Sequence, residues 1–278
     1  MKKVIPFLLF GAIFIIGKFD KEPVKDEFDQ RLLWQAQSAQ KNISSYFTTN
    51  SYQRGTIYAT TEDYQLSERK MHKVVEHHAK GNPAKVSYII KWKDSQDNVI
   101  NLSALGVDWK HHFANSYLVG FKPFSVDNLW LPLYAIAQLK TYETDSDQYR
   151  TNELWQNSAQ AYASPRGDCE DHAIILADWL ISEGVDARVV GGKYKGGGHA
   201  WVLAIIDDQE FILEATSKRK TKNWNHYPLA KLAKDYHPEF MFNREQFWVN
   251  TNRKLIDDYR GEHWQITSTY KKLASKPL

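Results

Sequence analysis

Two hydrophobic periods meet in the middle of the chain. Ala173, Leu176, Ala177 and Leu180 recur at i, i+3, i+4 and i+7, which predicts a helix over residues 169–182 with one apolar face for packing on a sheet. Gly184 suits its C-terminal cap. Beyond it the pattern changes to short β-branched and aromatic runs, predicting strands over 187–191, 199–206 and 210–215. Asp207-Asp208-Gln209 is a short link, so the last two strands are expected to pair as an antiparallel hairpin. Upstream, helices are expected over 31–47, 68–79, 129–137 and 153–161, and strands over 56–60, 85–92 and 116–121. Residues 144–147 read as a break between helices. After Val249 the chain turns polar and is expected to be peripheral.

The N-terminus has its own pattern. Lys2 and Lys3 precede an uncharged, mostly apolar run from residue 4 to 17, the layout of a signal peptide. A spanning helix needs roughly 17–25 apolar residues. The run is short for that, but no small-residue cleavage site follows it, so an uncleaved membrane anchor remains open. Either form implies export. Composition adds little against this frame: 42% hydrophobic and 25% charged residues describe a globular protein. A net charge of +3, with no basic run longer than the patch at 218–222, does not imply nucleic acid. His77-His78 and His111-His112 are adjacent pairs whose side chains diverge, so they read as surface histidines and weak metal candidates.

The chain has one cysteine, which forbids an intramolecular disulfide. Cys169 stands at the start of the predicted helix in Arg166-Gly167-Asp168-Cys169-Glu170-Asp171. A helix N-terminus or a nearby imidazolium favours the thiolate, which is the reactive form. His199 opens the second predicted strand and Glu214 lies near the end of its partner, so the hairpin places them nearly opposite each other, with Cβ atoms roughly 4.5–5.5 Å apart. A carboxylate on the far imidazole nitrogen fixes the ring's tautomer and orientation.

These segments, with Gly184-Val185-Asp186-Ala187-Arg188-Val189-Val190-Gly191, His199-Ala200-Trp201 and Glu214-Ala215-Thr216, resemble the transglutaminase-like superfamily, whose bacterial members include periplasmic cysteine proteinases. The resemblance covers roughly residues 125–250. It implies an α+β fold with a papain/transglutaminase-like core, in which a helix carrying the Cys packs on an antiparallel sheet carrying the His and the acid. The organisation expected is a signal peptide or short anchor with linker over 1–22, an N-terminal α+β extension over 23–124, the catalytic domain over 125–250 and a polar tail over 251–278.

Position by position, the resemblance makes Cys169 the nucleophile, His199 the base and later acid, and Glu214 the group that orients His199, where the family pattern usually has Asp. The backbone N–H of Cys169 would serve one side of an oxyanion hole. Trp155, Gln156 or Gln160 could supply the second donor. Asp168 as helix cap, with Glu170 and Asp171 favouring the helix dipole, is the plain reading of the acidic neighbours. The resemblance adds calcium bound by Asp168 and Glu170, since some of these proteinases bind it beside the Cys. No cofactor is otherwise required. Gly196-Gly197-Gly198 reads as a flexible segment bordering the cleft. The function implied is an exported, periplasmic or membrane-anchored cysteine peptidase or amidase acting on protein or peptide through a thioester. A crosslinking transglutaminase and a non-catalytic binding domain are the alternatives.

Overall fold

A computed structural model describes residues 27–41, 52, 54–61, 63–86, 88–91, 98–217 and 228–273. The expected N-terminal signal or anchor and the basic patch at 218–222 lie outside the described residues. Among the described residues, no helix is long and apolar enough to cross a membrane.

In chain order the helices are α1 (Glu27–Lys41), α2 (Glu68–Ala79), α3 (Leu131–Leu139), α4 (Asp145–Gln148), α5 (Ser158–Ala163) and α6 (Cys169–Ser182). The strands are β1 (Gly55–Ala59), β2 (Gln65–Ser67), β3 (Tyr88–Lys91), β4 (Val99–Leu105), β5 (His111–Phe113), β6 (Thr141–Tyr142), β7 (Arg166–Gly167), β8 (Asp186–Tyr194), β9 (Gly197–Ile206), β10 (Gln209–Leu213), β11 (Tyr236–Phe242), β12 (Gln246–Asn250) and β13 (Trp264–Lys272). An eight-stranded antiparallel sheet runs β10-β9-β8-β11-β12-β13-β1-β2. β3, β4 and β5 form a second, antiparallel sheet, and β6 and β7 a short parallel pair.

The architecture is α+β, with the cysteine-bearing helix α6 packed against β8 and β9, as in the expected papain/transglutaminase-like core. Period-2 alternation explains the two sides of the sheet. Val189, Val202 and Ala204 join the core that holds Ala173, Leu176, Ala177 and Leu180. Their neighbours Val190, Trp201 and Leu203 join a second cluster with Ile212, Met241 and Trp248. From Glu170 to Leu180 every residue of α6 is buried, a wider face than the i, i+3, i+4, i+7 stripe requires.

One buried carboxylate ties α6 to its surroundings. Asp178 accepts from the backbone N–H groups of Gly120 and Phe121 at 2.9 and 2.8 Å, from Ser158 Oγ at 2.5 Å, and from Arg244 Nε at 2.6 Å. Arg244 also donates to the Asp178 carbonyl and to Ser182 Oγ.

Several sequence expectations are corrected. Residues 116–121 are not a strand. A 3-10 turn spans Ala114–Tyr117, and the two amides at 120 and 121 bond Asp178 instead of a neighbouring strand. The helix expected over 153–161 begins only at Ser158, where Asn157 and Gln160 form a capping box. Residues 197–198 are not a loose loop: Lys195 and Gly196, at φ +50° and +85°, make a two-residue hairpin turn, and Gly197 and Gly198 pair with Tyr194 and Lys193. The segment expected as a polar tail supplies β13, which lies between β12 and β1 and joins the N-terminal strands to the main sheet. His111 and His112 are buried rather than exposed, whereas His77 and His78 are exposed.

Breaking a buried ion pair from one side leaves an uncompensated charge, at a cost of about 3–5 kcal/mol. Arg244→Ala is therefore expected to destabilise the protein by about that amount in urea unfolding, and Arg244→Ala paired with Asp178→Asn by less than Arg244→Ala alone. Equal losses for the single and double variants would contradict the pairing.

Candidate functional site

The parallel pairing of β6 with β7 builds the site's acidic half. Thr141 aligns with Arg166 and Tyr142 with Gly167, so the segments leaving both strands travel in the same direction. One delivers Asp145 at the start of α4, and the other delivers Asp168, Cys169 and Glu170 at the start of α6. Lys140, itself buried, holds the turn with its Nζ on the carbonyls of Ala161, Ser164 and Arg166 at 2.5, 2.9 and 3.0 Å.

Cys169 is part-exposed, and its Sγ lies 3.4 Å from Glu170 Oε2. The Cys169 sulfur lies near enough to His199 to raise its pKa, and His199 Nε2 lies 2.7 Å from Glu214 Oε2. Burial alone would lower the His199 pKa, but the Cys169 sulfur and the Glu214 carboxylate outweigh it and raise it to about 9. Burial likewise pushes Glu214 up, and its hydrogen bonds to His199 and Thr216 bring it below its ordinary value. Cys169, His199 and Glu214 are thus brought together.

The route differs from the one expected. β10 ends at Leu213, which pairs with Val202, so continuing the register puts Glu214 across from Trp201 and not from His199. Glu214 reaches His199 diagonally. Its other oxygen accepts from Thr216 N at 3.0 Å and Thr216 Oγ1 at 2.5 Å, and Tyr236 donates to Oε2 at 3.1 Å. Tyr194, Trp201 and Tyr236 surround the imidazole, with ring centroids 5.5, 6.2 and 6.5 Å away. Tyr236 carries no local motif, and only the pairing of β11 with β8 brings it here.

The oxyanion candidates separate. Trp155 Nε1 donates to Glu153 Oε2 at 3.2 Å. The Gln160 side chain serves the capping box and bonds Tyr52. Gln156 lies against the loop before Cys169: its Nε2 donates to Asp171 Oδ2 at 2.6 Å and faces the Arg166 carbonyl at 3.5 Å. His172, buried in α6, packs toward Tyr142 and makes no bond to the thiol.

Asp168 does not cap α6, because its side chain makes no capping bond. Asp145, Asp168 and Glu170 instead bring one oxygen each within 4.8 Å of one another. Asp168 Oδ1 and Glu170 Oε1 are buried without a hydrogen-bond partner. Burial raises all of these acids, and the charge of neighbouring carboxylates adds to it at Asp145, pushed up to about 9, Asp171, pushed up to about 8, and Glu170, while burial outweighs its hydrogen bonds to raise Asp168. Hard oxygen donors with orphaned lone pairs fit a calcium-like cation. Asp145 was not legible in the sequence, since it lies in a stretch that reads only as a break.

A family model described as the CEP76 peptidase-like domain matches residues 153–270. The centrosomal protein of 76 kDa from Mus musculus is 34% identical over 108 residues, covering 35% of this chain and 16% of that protein. The chain thus matches about a sixth of that relative's length. Among solved structures, Legionella pneumophila LapG is similar in an EGTA-treated form, at 22% identity and a TM-score of 0.38, over 52% of this chain and 77% of that one. Its calcium-bound form gives 20% identity and a TM-score of 0.37, over 53% and 81%.

The raised acids set a pH dependence. Unfolded carboxylates lose their protons near about pH 4, whereas the cation-free native protein retains them to about pH 8–9. The native state then binds more protons than the unfolded state, so stability falls as pH rises through that window. The melting temperature in chelator is expected to drop between about pH 5 and 9, and Asp145→Asn to reduce the drop. A melting temperature that is flat or rising over this window would contradict the assignment.

Proposed function

We propose that the protein is a thiol-dependent peptidase or amidase in which Cys169 is the nucleophile, His199 the acid–base and Glu214 the orienting carboxylate. The observation that carries this reading is the His199 imidazole paired with the Glu214 carboxylate, with its pKa raised by the Cys169 sulfur beside it. The Cys169 thiolate attacks the amide carbonyl carbon, forming a C–S bond. The imidazolium then gives its proton to the departing amine as the C–N bond breaks, leaving a thioester. His199 next takes a proton from water, whose oxygen attacks the thioester and releases the acid and the thiol. The Cys169 backbone N–H at the start of α6 is one oxyanion donor in this reading. Trp155, Gln160 and Gln156 all bond other groups, and Gln156 would supply the second donor by turning its amide from Asp171 and the Arg166 carbonyl.

The substrate class is protein or peptide. Asp145, Asp168 and Glu170 would hold calcium, whose charge would let these acids ionise together beside the thiol. The basic and apolar N-terminal pattern supports an exported or membrane-anchored location. Resolution of the same thioester by an amine would make the protein a transglutaminase, and peptide hydrolysis against amine incorporation separates the two.

Cys169→Ala is expected to abolish both turnover and labelling by a thiol-directed activity probe. Glu214→Gln should cut kcat on the order of 10²–10⁴-fold by releasing the imidazole's orientation. No probe labelling of the parent protein would overturn the proposal. His199 must be protonated to release the amine, so kcat should fall as pH rises through about 9. Glu214→Gln should shift that limb to lower pH, and an alkaline limb unmoved by the substitution would remove Glu214 from the triad. Calcium should flatten the pH dependence of the melting temperature and restore activity lost to chelator; neither effect would be seen if the acids bind no cation.

A further inference from the structure

A second set of ligating side chains lies in the N-terminal half, in a cavity of about 510 Å³ between α2, β1 and the β4–β5 turn. Glu68, His72 and His112 each bring one ligand atom within 4.8 Å of the others. α2 supplies two of them: Ser67 caps the helix through the Lys70 N–H, which sets Glu68 and His72 four residues apart on one face. β5 supplies the third.

The hydrogen bonds around the two rings are those of metal-bearing histidines, which donate their second ring N–H to a carboxylate or a backbone carbonyl. His72 Nε2 lies 2.6 Å from the His111 carbonyl, so it carries the hydrogen and leaves Nδ1 as the ligating nitrogen. His112 Nε2 lies 2.9 Å from Asp108 Oδ1, and its Nδ1 turns to Glu68 Oε1 at 2.6 Å. Tyr52 stacks flat on the His112 ring, with centroids 3.8 Å apart and planes at 7°, and fixes its orientation. Independently of these bonds, Glu68 is 4% exposed, and its second oxygen, Oε2, is buried with no hydrogen-bond partner. Without metal the His112 Nδ1 proton holds Glu68 Oε1, and a cation taken up here would replace that proton and engage the orphaned Oε2.

We propose that Glu68, His72 and His112 form a zinc site, with Asp108 and the His111 carbonyl as its outer shell and a fourth coordination position open to the cavity. Two imidazole nitrogens and one carboxylate with an open position are a zinc donor set of borderline softness, distinct from the all-oxygen cluster beside Cys169. The ion would clamp α2 to β5, and Arg54, Arg69 and Lys110 line the cavity into which its open position faces. The inference does not depend on thiol chemistry.

The test uses the Cys169→Ala chain, so that the thiol cannot hold zinc. After equilibration with zinc and gel filtration, elemental analysis is expected to find one zinc per chain beyond any that survives in the His72→Ala variant. Cobalt substitution should give the intense visible absorption of a tetrahedral site, lost in His72→Ala. Asp108→Asn touches only the outer shell and should weaken zinc affinity by about 10–100-fold while leaving one site per chain. His72 is half-buried, and its variant is expected to keep the parent's circular dichroism. If His72→Ala misfolds, the Asp108→Asn affinity decides. Zinc absent from the Cys169→Ala chain at micromolar free metal, or held equally by a folded His72→Ala variant, would overturn the proposal, as would an unchanged affinity in Asp108→Asn.

Discussion

The burial of α6 is the constraint on which the site depends. A helix buried along its whole length from Glu170 to Leu180 has one position available to it, set by contacts with β8, β9, α3 and α5. Its first residue is therefore held in place as firmly as its middle. The Asp178–Arg244 pair reinforces this from below by linking α6 to the β11–β12 turn and to the loop at 120–121. A thiol on a loop would need its own supports to stay beside an imidazole on a strand. Here close packing, which gives protein interiors the density of organic crystals, supplies that positional precision.

The same burial creates the electrostatic problem beside the thiol. Taking Asp145, Asp168, Glu170 and Asp171 out of water raises all four pKa values, and the charge of Asp168 raises the other three further. Asp171 has Gln156 N and Nε2 as partners, and Lys140 supplies positive charge nearby. Asp168 and Glu170 keep unsatisfied oxygens. Such a cluster costs stability unless protons or a cation neutralise it, so its presence at the start of α6 is not explained by packing. The parallel β6–β7 pair is what makes it unavoidable, because it fixes Asp145 beside the chain that leads into Cys169.

What the sequence made legible follows the range of the interactions. α6 appeared with its bounds, because its apolar spacing and its flanking glycines are local signals. The β9–β10 hairpin was legible for the same reason. Residues 116–121 were misread because an apolar run does not reveal that its amides will bond a carboxylate in α6, nearly 60 positions away. β13 was misread because Thr267, Ser268 and Thr269 look solvated. Yet Ser268 is wholly buried, and it bonds the Ile100 carbonyl across 168 residues. His112 was misread because Glu68, Asp108 and Tyr52 come to it from three separate segments. Asp145 shows no ligand spacing to Asp168 and Glu170, since the β6–β7 pairing brings it to them, whereas Glu68 and His72 stand four residues apart on α2 and only His112 comes from afar.

The choice of Glu at position 214 has a geometric reason. Were the acid directly across from His199, an aspartate would reach the imidazole, because facing side chains have Cβ atoms roughly 4.5–5.5 Å apart. The register instead carries Glu214 toward Trp201, two positions along β9, where diagonal neighbours are roughly 7–8 Å apart. The additional methylene spans the diagonal and still ends 2.7 Å from Nε2. A longer side chain has more rotamers to restrain, and the Thr216 N–H and hydroxyl together with the Tyr236 hydroxyl restrain them by occupying the remaining lone pairs. Shortening Glu214 to Asp would thus lose the imidazole while leaving Thr216 within reach, so position, and not acidity alone, dictates the residue.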